Sequence, residues 1–119
     1  MGKIILLFIL LHTVLFSNER VVQAESLKSA CLECHRKDQV PNELIYKRYL
    51  MKYSTRSSMK NAILTYLKDP KQETSIMPPP FFLRFPMKEA LDLDDVSLEY
   101  NTRAFLEMFD MKKKLVLPQ

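Results

Sequence analysis

The chain has 119 residues, 47% of them hydrophobic and 27% charged, with a formal net charge of +4. That length suits one ordinary globular domain and is too short for two. Basic residues are thinly spread and Lys112-Lys113-Lys114 is the only tight run, so the dense Lys/Arg stripe of a nucleic-acid binder is excluded and the run reads as a solvated tail.

The first element in chain order is a targeting segment. Lys3 precedes the apolar run Ile4 to Phe16, and a polar stretch leads to Val22-Gln23-Ala24, the three-part pattern of a secretory signal peptide cut after about Ala24. The run is interrupted by His12 and falls short of the roughly 20 residues that span a hydrocarbon core. Residues 1–24 are therefore expected to be removed on export to the periplasm, leaving residues 25–119 as a domain with no stable membrane insertion. The single glycine is Gly2 and the chain has seven prolines, so hairpins with glycine turns are disfavoured and proline supplies the breaks. A domain this small needs disulfides, a metal or a large prosthetic group to complete its core. Two cysteines are too few for a disulfide framework.

A short helix from Ser26 to about Ala30 is expected to lead into the cysteines. A second begins near Asn42, after Pro41, and runs to about Tyr53 with Leu44, Ile45, Tyr49 and Leu50 as its apolar residues. Met59, Ala62, Ile63, Tyr66 and Leu67 follow the i, i+3, i+4, i+7, i+8 rule of a one-sided helix, with Ser58 as the expected N-cap and Asp69-Pro70 as the stop. Between Lys71 and Pro86, Pro78-Pro79-Pro80 and Pro86 forbid helix and favour a stiff, extended loop. Asp94 or Asp95 then caps a last helix carrying Val96, Leu98, Tyr100, Ala104, Phe105, Met108 and Phe109 on a broad apolar arc. The expected architecture is all-α, with four helices and one long proline-rich loop.

Residues 31 to 35 read Cys31-Leu32-Glu33-Cys34-His35, the C-x-x-C-H pattern of c-type haem attachment. Two thiols at this spacing each form a thioether to one haem vinyl group, and the next residue offers its imidazole to the iron. The motif takes up both cysteines and the one histidine, His35, that follows the leader. A disulfide between Cys31 and Cys34 would close a tiny loop with little entropic gain. A thiol-redox pair is the main rival, although it usually sits in a βαβ context, and a zinc site would lack a fourth Cys or His ligand. With His12 removed, a sixth iron ligand would be a methionine. Met51, Met59, Met108 and Met111 fall in helices and read as packing residues. Met77 heads the stiff segment Met77-Pro78-Pro79-Pro80 and is the first choice as distal ligand, with Met87, after Pro86, as runner-up.

On these residues the chain resembles the small class I cytochromes c over about residues 25 to 111. Cys31, Cys34 and His35 match the attachment motif, Met77-Pro78 matches the distal loop, and Tyr100 with Phe105 fits the aromatic C-terminal helix. The resemblance implies a fold of about four helices around one covalently attached haem c, in which the C-terminal helix crosses the first. It also implies a carbonyl from Pro41 to the proximal imidazole. Two features depart from the family. Glycine is missing where the first and last helices meet, with Ala30 or Ser29 as substitutes, and the stretch from Phe81 to Pro86 is longer and more aromatic than a minimal member needs.

The expected function is one-electron transfer between larger redox proteins, so the chain is an electron carrier rather than an enzyme. Arg36, Lys37, Lys47, Arg48 and Lys52 form a candidate docking face for acidic partners, and a scattered solvated surface explains them equally. The alternatives are a haem-based sensor or ligand-binding module with Met77 displaceable, and a haem-free thiol-disulfide oxidoreductase using Cys31 and Cys34.

Overall fold

The computed structural model describes residues 26–37 and 40–115, without the side chains of Cys34 and Lys37. The expected leader and its cleavage site lie outside those residues. Among the described residues the chain is all helix and loop, with four α-helices and no strand, and no helix is long and apolar enough to cross a membrane.

The first helix does not stop near Ala30. A π-helical turn, Lys28–Leu32, closed by the Glu33 N–H on the Lys28 carbonyl, runs directly into α1, Glu33–Lys37. Pro41, extended at φ −62° and ψ 137°, then starts α2, Asn42–Lys52. Its carbonyl accepts from the N–H groups of Leu44 and Ile45 at 3.0 and 3.3 Å, satisfying donors that a helix start leaves open. The covered face of α2 is Ile45, Tyr46, Tyr49 and Leu50. Leu44, expected on that face, is 40% exposed, because it lies one position short of the 3.6-residue stripe.

Helix α3, Arg56–Lys68, begins before the expected cap. Thr55 is the N-cap, and its hydroxyl accepts from Ser58 N–H at 3.1 Å. Ser58 is thus the third residue of the first turn. Asp69 ends the helix as expected. In the segment that follows, Pro79–Leu83 form a 3₁₀ turn. This corrects the expectation that the prolines forbid any helix, since the first residues of a helical turn have no use for their N–H and proline suits those positions.

Helix α4, Asp95–Met108, is capped by Asp94, which accepts from the Ser97 N–H at 2.9 Å and the Ser97 hydroxyl at 2.6 Å. Its buried face is Leu98, Asn101, Thr102, Phe105 and Leu106. That face is narrower than the expected arc, and Val96 and Met108 are exposed. A 3₁₀ turn, Met111–Lys114, follows, in which Lys113 pairs with Glu107.

Helices α3 and α4 run antiparallel, with Arg56–Glu107 at 2.7 Å, Lys60–Glu99 at 2.9 Å and Lys68–Asp95 at 2.7 Å along their seam. Such exposed pairs are screened by solvent, so they fix register more than they stabilise. Most of the stabilisation comes from the buried cluster of Leu27, Tyr46, Tyr49, Met59, Ile63, Phe105 and Leu106, where each covered side chain is worth about 1.5–3 kcal/mol. Through Leu27 this cluster joins the helical residues before the π turn to α4.

Candidate functional site

Cys31 lies in the π turn, half-buried, and packs with Leu32 against the buried cluster. A π turn carries more residues per turn than an α-helix, so it shifts the phase of the residues before α1. His35 follows in α1, half-buried, and lines an open cleft of about 320 Å³. Leu32, Val40 and Pro41 form the apolar part of that cleft, and Lys28, Glu33, Arg36 and Glu43 make its charged part. Pro41 therefore shares a wall with His35, while its carbonyl serves the start of α2. Among the described residues no group of three or more His, Cys, Asp and Glu converges as a metal-ligand cluster.

The methionines divide differently from expectation. Met59 is 3% exposed in the core, as its helical spacing predicts, and Met111 packs against the same core. Met51 is 83% exposed and Met108 52% exposed, which corrects their reading as packing residues. Each lies on the outward side of a helix whose covered stripe is narrower than its apolar composition suggests.

Met77 and Met87 are both half-buried. The Met77 N–H donates to the Ser75 hydroxyl at 3.1 Å, and Ser75 is itself buried. The Met87 sulfur accepts from the Tyr66 hydroxyl at 3.7 Å, within reach for a thioether acceptor. Burial pushes the Tyr66 phenol up, and the neighbouring Ser75 hydroxyl offsets part of that rise. Neither methionine lines the cleft at His35. The two regions meet through the core, against which Cys31 and Leu32 pack from one segment and Ile76, next to Met77, from the other.

The basic residues do not form an unbroken face. Arg36 pairs with Glu33 at 3.9 Å, and Lys52 lies over the Tyr53 ring at 5.6 Å. Lys47 is exposed on α2. Arg48 is half-buried, with its Nε covered and without a hydrogen-bond partner among the described residues.

Sequence reasoning misses two features near these residues. Spacing gives Tyr66 only an apolar role on α3, although a buried tyrosine hydroxyl needs a polar partner and the sulfur of Met87 supplies it. Tyr46, absent from the expected face of α2, is 5% exposed and donates to Asp110 at 3.4 Å, tying α2 to the turn after α4. Comparison of the chain with protein-family models, with curated proteins and with solved structures finds no match.

Proposed function

We propose that the chain is an exported monohaem c-type cytochrome that carries one electron at a time between redox proteins, and is not itself an enzyme. The observation that carries this reading is the placement of the Cys31-to-His35 motif. It begins in a helical turn that packs Cys31 onto an apolar core and ends with His35 at an adjoining cleft. The chemistry of the donors fits the group, with two thiols at attachment spacing and an imidazole beside the second. Cys31 and Cys34 would hold a haem c covalently, His35 would be its proximal ligand and Met77 its distal one. When bound, the haem supplies a reversible one-electron couple, and His/Met ligation favours its ferrous state.

The chain's own residues supply rigidity and a dry surface. Tyr49, Met59, Ile63, Phe105 and Leu106 keep water from the core, and the link from Leu27 to α4 holds the motif-bearing helix in place. Ser75 fixes the backbone at Met77, and the prolines that follow leave the loop little entropy to lose. Were His35 and Met77 both to hold the group, they would leave it no place for a substrate, which would favour electron carriage over catalysis. Exposed Lys47 and the cleft-edge cations Lys28 and Arg36 suit exported partners with acidic docking faces, and steering of this kind acts on association rate more than on affinity.

The test is a visible absorption spectrum of the protein purified from the compartment to which it is exported. A Soret band with a sharp reduced-state band is expected. Its absence, with a free or disulfide-bonded Cys31–Cys34 pair, would leave the thiol-redox reading in its place.

A further inference from the structure

We propose that the proline- and phenylalanine-rich tip at residues 78–86 is a docking knob for an anionic phospholipid surface, which it enters at the level of the headgroups without crossing the bilayer. This role needs no haem, and falls to a stretch that electron transfer leaves without a use.

The tip is built to show apolar surface. Pro79–Leu83 form the 3₁₀ turn, and at its end Leu83 is 88% exposed, with Pro79, Pro80 and Pro86 exposed around it. The rings beside them are fixed against one another. Phe81 stacks on Phe85 at 4.6 Å between centroids and meets Phe82 edge-on at 5.4 Å. Both feet of the tip are held, since Ile76 packs on the core before it and Met87 accepts from Tyr66 of α3 after it. A knob ordered beforehand loses little freedom on docking.

Two features select the occupant, and the first is the backbone. Pro78, Pro79, Pro80 and Pro86 have no N–H to offer. The N–H groups of Phe81, Arg84 and Phe85 bond the carbonyls of Pro78 and Phe81 at 2.9 to 3.1 Å, and the 3₁₀ bonding takes up donors within the turn. A protein interface carries about one hydrogen bond per 100–200 Å², and this tip has few donors to give one. A bilayer penalises each free donor and so suits a tip that has few.

The second feature is charge. Residues 74–88 include Arg84 and Lys88 and no Asp or Glu. The Arg84 guanidinium, exposed beside Leu83, makes no ion pair among the described residues. Its stem can lie along the apolar tip while its head reaches a lipid phosphate. Leu83 and the prolines then sit at the boundary between headgroups and acyl chains, as the apolar face of a membrane-surface element does.

The test is co-sedimentation of the exported protein with phosphatidylcholine vesicles, with and without phosphatidylglycerol. The wild type should partition onto the anionic vesicles and far less onto the neutral ones. Leu83→Ser should lower that partitioning about tenfold, as expected for losing one buried leucine. Arg84→Gln should lower it about fivefold, and only where phosphatidylglycerol is present. Met51→Ser, at a side chain 83% exposed on α2, should bind as the wild type does. All three positions are exposed, so circular dichroism should show an unchanged fold. A wild type that ignores the anionic vesicles would overturn the proposal, and so would binding that Leu83→Ser and Arg84→Gln leave intact. Sedimentation velocity without lipid supplies a further check, because a dimer that Leu83→Ser dissolves would give the tip to a second copy of the chain and overturn the assignment to lipid.

Discussion

Asn101 and Ser26 exchange hydrogen bonds at 3.4 and 3.5 Å, joining the helical residues before the π turn to the middle of α4. Asn101 is 1% exposed, and its amide also donates to the Ser97 carbonyl at 2.9 Å. In a chain without a glycine at that meeting point, a small hydroxyl and a buried amide set the approach of the two helices. Asn101→Ala leaves Ser26 without this partner and opens space in the core, and should cost about 1–3 kcal/mol. Ser26→Ala, at a more accessible position, should cost about 0.5–1.5 kcal/mol. Urea melts of both variants check this, and equal costs would contradict the part assigned to burial.

The methionines offer a direct contrast in packing. Met59→Ala, from a side chain 3% exposed, should lose about 2–5 kcal/mol. Met51→Ala, from one 83% exposed, should stay within about 0.5 kcal/mol of wild type. Thermal melts separate the two, and neither substitution should alter the visible spectrum.

Met77→Ala should act on the spectrum rather than the fold. It should remove the weak sulfur-to-iron absorption at the red end of the ferric spectrum, lower the reduction potential and open the iron to carbon monoxide. If Met77→Ala keeps that absorption and Met87→Ala loses it, the ligand is Met87 and the cytochrome reading survives with a changed assignment.

Stability should fall at both ends of the pH range, for different reasons. Hydrogen bonds from Lys60 and then Arg103 hold the Glu99 carboxyl below its ordinary value, and the Lys113 contact does the same for Glu107. A depressed carboxyl contributes stability that is complete above its unfolded value, about 4.3, and is lost as pH falls through the lower folded value. Burial, ahead of any other cause, pushes Tyr46, Tyr49 and Tyr66 up. Their contribution is complete below the unfolded value, about 10, and is lost as pH climbs toward the raised folded values. Melting temperature against pH should show both arms, and added salt should flatten only the acid arm because its groups are at the surface. Ionisation of all five tyrosines near pH 10 with the fold intact would contradict the burial of these three.

Much of the helical plan is legible in the sequence because it rests on spacing. Met59 and Ile63 are buried where the 3.6-residue period puts them, and Asp94 caps α4 through Ser97. The start of α3 is harder to place because Arg56, Ser57 and Ser58 carry no apolar residue to mark the period, so Ser58 looks like the cap that Thr55 supplies. Asn101 and Thr102 escape notice for the opposite reason. Polar residues on a helix read as outward-facing, and only the packed neighbour reveals that both are covered. At the site, the five-residue motif is visible as a string, and so are Met77 and Met87. The partner Tyr66 is not, since a hydrogen bond between α3 and a distant loop leaves no periodic trace.

Both roles proposed for His35 and Met77 depend on covalent attachment of haem at Cys31 and Cys34. Attachment is read from the intact mass of the protein after export and full denaturation. One haem mass should stay on the wild-type chain and none on the variant carrying both Cys31→Ala and Cys34→Ala. A denatured wild-type chain at its bare polypeptide mass, with both thiols open to alkylation, would rule attachment out.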